Sequence, residues 1–362
     1  MVPFFPFYIW LTTAAGDIQG AWLSIGIGMR LSQSAKLNAE SPTRPAPSNI
    51  EERRRCFWSL YLLEMICSHA FASSQQLVGC RPPYPSSLEL KPIDNLELGQ
   101  PGGGNNHGII GYSIELLELW QTTLNYATGQ TSPKEAPWSP NSEHFQLAAR
   151  IMEWEANLCK HHRSAHTKFR EQDLMEVRAN LRYWGPWILV QFTYPATLCL
   201  LHHPFFLSER AKDCVGRVSL SFLETSMDLA LLHSKHITRM ITRLDHMNMG
   251  VSDPFLAYCA TVAATIDLWY CYVEDRGVKA QARRRFAICY RFIRAFAEKW
   301  PIAQKMVCIW FQSYIYRSLE QAPELTDARL IISCSLTLRR LPGKQVQSHH
   351  LLLLRFLLRT QV

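Results

Sequence analysis

Apolar residues recur every three or four positions through nearly every long segment of the chain, whereas alternation with a period of two is scarce. That spacing predicts an all-α, multi-helix fold with long irregular loops. Helices are expected at 22–34, from just after Ser48, and at 113–126, 143–165, 168–183, 187–202, 211–245, 254–274, 279–299 and 301–320, with a break expected inside 211–245. In 22–34, Trp22, Ile25 and Met29 form an apolar line, while Ser24, Gly26, Gly28 and Ser32 leave thin surfaces for a neighbouring helix. The next helix should be capped by Ser48, with Glu51 closing a capping box and Glu52 also in the first turn. Its stripe of Phe57, Leu60, Tyr61 and Met65, widened by Trp58 and Leu62, predicts a central, buried helix. The most regular amphipathic line is Phe255, Tyr258, Val262, Ile266, Trp269 and Val273.

Proline and glycine mark the connections. Pro42, Pro45 and Pro47 break any helix through 39–49, and the stretches 79–108 and 128–142 read as exposed, irregular loops. No internal repeat is evident. The expected division is a lead-in at 1–20, a helical domain at 21–320 and a helical extension at 321–362.

With 48% apolar residues in 362, the chain can fill one large core or two modest ones. A net charge of +8 suits nucleic acid or an acidic membrane, but a whole-chain excess does not say where the charge sits. The eleven cysteines include no CxxC pair and lie mostly in apolar helical runs, so they read as reduced core thiols. The aromatic N-terminus carries two early prolines and no basic residue before its apolar patch, which argues against a secretory signal. It reads as a frame that begins inside a domain. No apolar run is long enough to cross a membrane, so no membrane partner is expected.

Candidate chemistry is sparse. Cys159, His162 and His166 have suggestive spacing for a metal, yet Lys160, Arg163 and Lys168 surround them, and a solvated basic face is the preferred reading. The histidine pairs at 202 and 203, 233 and 236, and 349 and 350 are weaker candidates. No nucleophile elbow, phosphate loop, dinucleotide fingerprint or paired-carboxylate motif occurs, and no enzyme activity is assigned. Three basic clusters remain: Arg53, Arg54 and Arg55; Arg283, Arg284 and Arg285 with Arg291 and Arg294; and Arg339, Arg340 and Lys344. The first should pair internally with Glu51 and Glu52. The second is either the basic face of an amphipathic helix or a nuclear-import signal. The apolar LLLLRFLLRT near the C-terminus reads as a last core helix or a docking element.

Residues 22–34, WLSIGIGMRLSQS, and 51–64, EERRRCFWSLYLLE, together resemble the middle homology region of fungal binuclear zinc cluster transcription regulators. LLHHPFF at 200–206 extends the likeness, with His203 where the family usually has arginine. Gly79, Cys80, Arg81 and Pro82 match a short Gly-Arg-Pro element with a cysteine inserted. The resemblance makes Trp22, Gly26, Arg30, Glu52, Arg53, Arg54, Arg55, Trp58, Tyr61 and Glu64 the motif residues, structural or regulatory in role. It implies nuclear transcription control, in which an all-α domain relays or restrains activation through the transcription machinery, a related regulator, a homodimer or a small effector. Zinc and DNA would enter only through a cluster ahead of this region, since none lies within it. An effector site is expected as an apolar pocket between helices, lined by Trp, Tyr and Met. The alternative from the residues is an interaction module that sequesters a related regulator.

Overall fold

The helical spacing becomes helices in a computed structural model, which describes residues 15, 17–39, 47–68, 81–87, 108–128, 135–164, 167, 169, 171–204, 206–207, 210, 219–271 and 273–307. No strand occurs among these residues. In chain order the elements are α1 (Ile18–Ser34), α2 (Pro47–Ser68), α3 (Gly108–Ala127), α4 (Glu143–Asn157), a single 3₁₀ turn (Lys160–His162), α5 (Leu174–Ala179), α6 (Leu181–Leu201), α7 (Leu220–His246), α8 (Pro254–Tyr270) and α9 (Arg276–Ala297). A further helical stretch covers 301–307.

Two apolar cores form among the described residues. The larger joins α3, α4, α6, α7, α8 and α9 around Trp120, Trp184, Trp187, Phe192 and Tyr258. Helix α8 packs on α6, α7 and α9, and its residues from Phe255 to Leu268 are all buried. The amphipathic line expected there is therefore only part of the truth: Ala257, Cys259, Ala260, Ala263 and Ala264 fill the other faces, so the helix is apolar all round and sits innermost. Small side chains let three neighbours approach it at once.

Helix α6 runs through Pro186 and Pro195. Each withholds an N–H from the carbonyl four residues earlier, on Arg182 and Gln191, and the helix persists because its burial outweighs those losses. It begins earlier than its spacing predicts, since the expected helix at 168–183 contracts to the short α5 and the chain re-enters helix at Leu181.

The smaller core is the α1–α2 hairpin, with Ile25, Met29, Leu37, Phe57, Trp58, Leu60 and Tyr61 closed against Ile114 of α3. Leu62 and Ile110 pack against both cores and join them. Helix α2 is thus buried, but it lies at the centre of the hairpin cluster and not of the whole molecule.

Helix ends follow local chemistry. The side chains of Asp17, Ser142, Ser219, Asp253 and Asp275 cap α1, α4, α7, α8 and α9 by accepting backbone N–H groups. Ser48, expected as the cap, falls inside the helix. Helix α2 already starts at Pro47, a residue suited to the first helical position, and the Glu51 carboxylate accepts from Ser86 N instead. Helix α7 is continuous from Leu220 to His246, and the segment 211–218 lies outside the described residues. The loop expected at 128–142 is packed over its last part, where Pro137 and Ser142 are buried and Trp138 meets Phe222 edge-on. The region beyond 307, including the basic cluster at 339–344, His349, His350 and the leucine run, also lies outside them.

Candidate functional site

The first candidate site is the polar seam that fastens the hairpin to the bundle. Helix α1 ends in a Schellman turn: Leu37 N bonds Ser32 O, Lys36 N bonds Gln33 O, and Lys36 adopts a left-handed φ of 52°. Arg53 of α2 reaches that end and donates from Nη2 to the carbonyls of Ala35 and Lys36, each at 3.0 Å. A cation thus meets the negative end of a helix dipole. Two residues on, Arg55 pairs with Glu51 at 2.7 Å and donates to Ser86 O at 2.7 Å.

Residues 81–87, RPPYPSS, run as a strap across α2 and α3 rather than as a free surface loop. Trp58 Nε1 donates to Pro83 O at 3.1 Å, and the Trp58 and Tyr84 rings lie 4.9 Å apart. Arg81 stands 4.9 Å from the centre of the Tyr61 ring, and both Arg81 Nη1 (2.6 Å) and Tyr61 Oη (2.7 Å) donate to Glu118 Oε1 of α3. Burial, then the Glu118 carboxylate, holds the Tyr61 phenol well above its usual range, so it stays a donor. Ile110 N donates to Ser87 Oγ at 3.1 Å, closing the strap on the start of α3.

The motif residues therefore divide. Arg53, Arg55, Trp58 and Tyr61 converge on the seam. Glu64 is half-buried, and burial pushes its carboxyl up. Arg54 is half-buried and Glu52 exposed. Trp22, Gly26 and Arg30 lie on the outer side of α1, where Trp22 (42%), Leu23 (61%), Ile27 (47%) and Leu31 (55%) make an exposed apolar face. The close approach expected at the thin positions occurs at Gly28 and Ser32, which are buried. At Gly26 an added Cβ would meet open space.

The second candidate is a cavity of about 600 Å³ between α7 and α9. Lys235, Arg239, Arg243 and His246 line it from α7 at intervals of three or four residues, with Thr238 and Thr242 between them. Arg285 and Ile288 face them from α9, and Met247 closes one end. The Arg285 side chain is turned inward, with Nε 2.6 Å from Oδ1 of the fully buried Asp267 on α8. Burial pushes the Asp267 carboxyl up to about 6 against the opposing pull of Arg285 and, more weakly, Lys235. Of the basic run in α9, Arg283 and Arg284 remain exposed while Arg285 is committed to this pair. The cavity lies between helices and the surface facing it is mostly apolar, although several cationic side chains line it and Met247 is the one Trp, Tyr or Met among the described lining residues. The sequence held a signal in the spacing of Lys235, Arg239 and Arg243, masked by the histidines and apolar residues between them.

The helix expected to carry Cys159, His162 and His166 ends before them. Helix α4 stops at Asn157, and His162 is buried in the 3₁₀ turn, hydrogen bonded through Nδ1 to Tyr183 Oη at 3.1 Å. It is not on a solvated basic face, because its carbonyl accepts from Trp187 Nε1 and its ring packs on Tyr112. His166 lies outside the described residues, and no group of three metal-binding side chains occurs among them. His203, where the family usually has arginine, is buried with Nε2 2.7 Å from Thr265 Oγ1. Burial lowers His144 to about 4 and His162, His202 and His203 to about 3, so all four are neutral core groups at pH 7. Cys199, Cys259, Cys271 and Cys289 are free, buried thiols, as the scattered cysteines predict.

Residues 9–73 match the family described as the fungal specific transcription factor domain. The match spans α1 and α2 and bears out the resemblance drawn from the two helical motifs. By its description the family is one of transcription regulators. No curated protein and no solved structure matches the chain. No described helix is long and apolar enough to cross a membrane.

Proposed function

We propose that the chain is a fungal-type transcription regulator acting in the nucleus, in which the all-α domain relays or restrains activation by a shift in helix packing. The observation that carries this reading is the match over 9–73, because the matched hairpin is fastened through Arg81, Tyr61 and Glu118 to the bundle. A change of packing in the bundle is then felt at the outer face of α1 through α3, the strap and α2. The exposed Trp22, Leu23, Ile27 and Leu31 favour the partner side of this reading, in which the transcription machinery, a related regulator or a second copy takes up the signal.

The test fuses the 362-residue chain to a foreign DNA-binding module in fungal cells carrying a matching reporter. The tethered chain should raise or lower reporter output severalfold over the module alone. Substituting Tyr61→Phe with Arg81→Gln should alter that effect without removing the protein. Reporter output equal to that of the module alone, from a fusion that accumulates in the nucleus, would sink the reading.

A further inference from the structure

From the cavity between α7 and α9 we infer a binding site for a small organic anion, one carrying a carboxylate or phosphate group on an apolar body; as an effector site it rests on the regulatory reading above.

Three observations carry it. The volume of about 600 Å³ suits a metabolite-sized molecule and is too small for a nucleic-acid duplex. Lys235, Arg239, Arg243 and Arg285 bring four permanent cations to the wall, and none of the described lining residues is acidic. Asp267, the carboxylate that Arg285 meets, belongs to α8 and is fully buried. Met247, Ile288 and the aliphatic stems of the cations supply apolar surface beneath the charged heads. The site therefore sets a few cationic groups in a mostly apolar surface, which complements a molecule that is anionic at one end and apolar at the other.

The site is also placed to be felt. Arg285 joins it to α8, the helix that packs on α6, α7 and α9. An anion drawing on the Arg285 guanidinium competes with Asp267, whose other oxygen, Oδ2, has no hydrogen-bond partner among the described residues. Occupancy thus changes how firmly α9 is held to the innermost helix.

The purified full chain tests this with 8-anilino-1-naphthalenesulfonate, an anionic aromatic probe, against N-phenyl-1-naphthylamine, which has the same body without the acid. The anionic probe should bind saturably. Lys235→Gln with Arg239→Gln should weaken it roughly tenfold to a hundredfold, and Arg239→Glu alone should act in the same direction. Arg291→Gln with Arg294→Gln, which removes the same charge from exposed positions of α9 outside the cavity, should leave binding unchanged. Displacement by 1-naphthoate points to a carboxylate ligand and by 1-naphthyl phosphate to a phosphate ester; either supports the site. Equal binding of the neutral probe, equal weakening by both double variants, or preference for a poly-glutamate peptide or a DNA duplex overturns it. Saturable, cavity-dependent binding supports the site even where the tethered chain leaves the reporter silent, so failure of the regulatory reading is distinguishable from failure of this one.

Discussion

The α1–α2 hairpin and the α3–α9 bundle are held together by different means. The bundle encloses a large apolar core in which Trp120, Trp184, Trp187, Phe192 and Tyr258 supply volume. The hairpin has a small core and is secured by directional bonds: Arg53 to the end of α1, Trp58 to Pro83 O, and Tyr61 with Arg81 to Glu118. Many apolar combinations fill a core of given volume, whereas few residues can make a bond of given reach and geometry. The family match falls on the hairpin, where side-chain identity is dictated atom by atom.

The contrast is broken most severely from the bundle side. Trp187→Ala removes a fully buried indole and its bond to His162 O, and should cost about 3–5 kcal/mol, lowering the urea midpoint of bundle and hairpin together. Were only the bundle to unfold, the hairpin would be an independent unit and the contrast would sharpen into a domain boundary.

Acid should act next, and chiefly through the bundle. His144, His162, His202 and His203 all belong to it and stay neutral down to about pH 4 or below when folded. Unfolded histidine takes its proton near pH 6.5, so stability is full above that value and falls as pH drops through the window below it. At pH 5 each group costs about 2 kcal/mol. Asp253 and Asp267 oppose this, since burial raises both and their contribution grows as pH falls toward the usual carboxylate range. With His233 and His236, which burial also lowers, the histidines outnumber the raised carboxyls of Asp253, Asp267 and Glu64, and thermal midpoints should drop between pH 7 and pH 5. His203→Gln should flatten the slope, whereas a midpoint independent of pH would show that these rings gain protons without opening the core.

Smaller effects belong to the hairpin. Arg53→Ala should cost about 1–2 kcal/mol and expose α1 amides to hydrogen exchange while α8 amides stay protected. Equal loss in both helices would mean that the hairpin has no local stability of its own. Lys36→Gly relieves a left-handed residue and should gain about 0.5–1 kcal/mol, read as slower exchange over 31–37.

Much of this was legible in the sequence. The helices, the hairpin stripe and the reduced thiols follow from spacing, and the pairing of Arg55 with Glu51 follows from an i, i+4 offset. The rest depends on contacts distant along the chain. Glu51 is drawn from the expected cap to Ser86, and proline-rich 81–87, which reads locally as loop, is pinned by Trp58 and Arg55. The cavity draws on α7 and α9, and Arg285 looks like one of a surface trio until Asp267 is brought beneath it. His162 likewise reads as part of a basic face because its burying partners, Tyr112, Tyr183 and Trp187, come from other helices.

The two prolines of α6 stand nine residues apart. At 3.6 residues per turn their rings are about half a turn out of phase and push on the backbone from opposite sides. The two deflections oppose each other, so the helix can carry both without swinging its far end away from α7 and α8. Substituting Pro186 or Pro195 singly would leave one push unbalanced, and the pair is better regarded as one device for keeping a long axis on course.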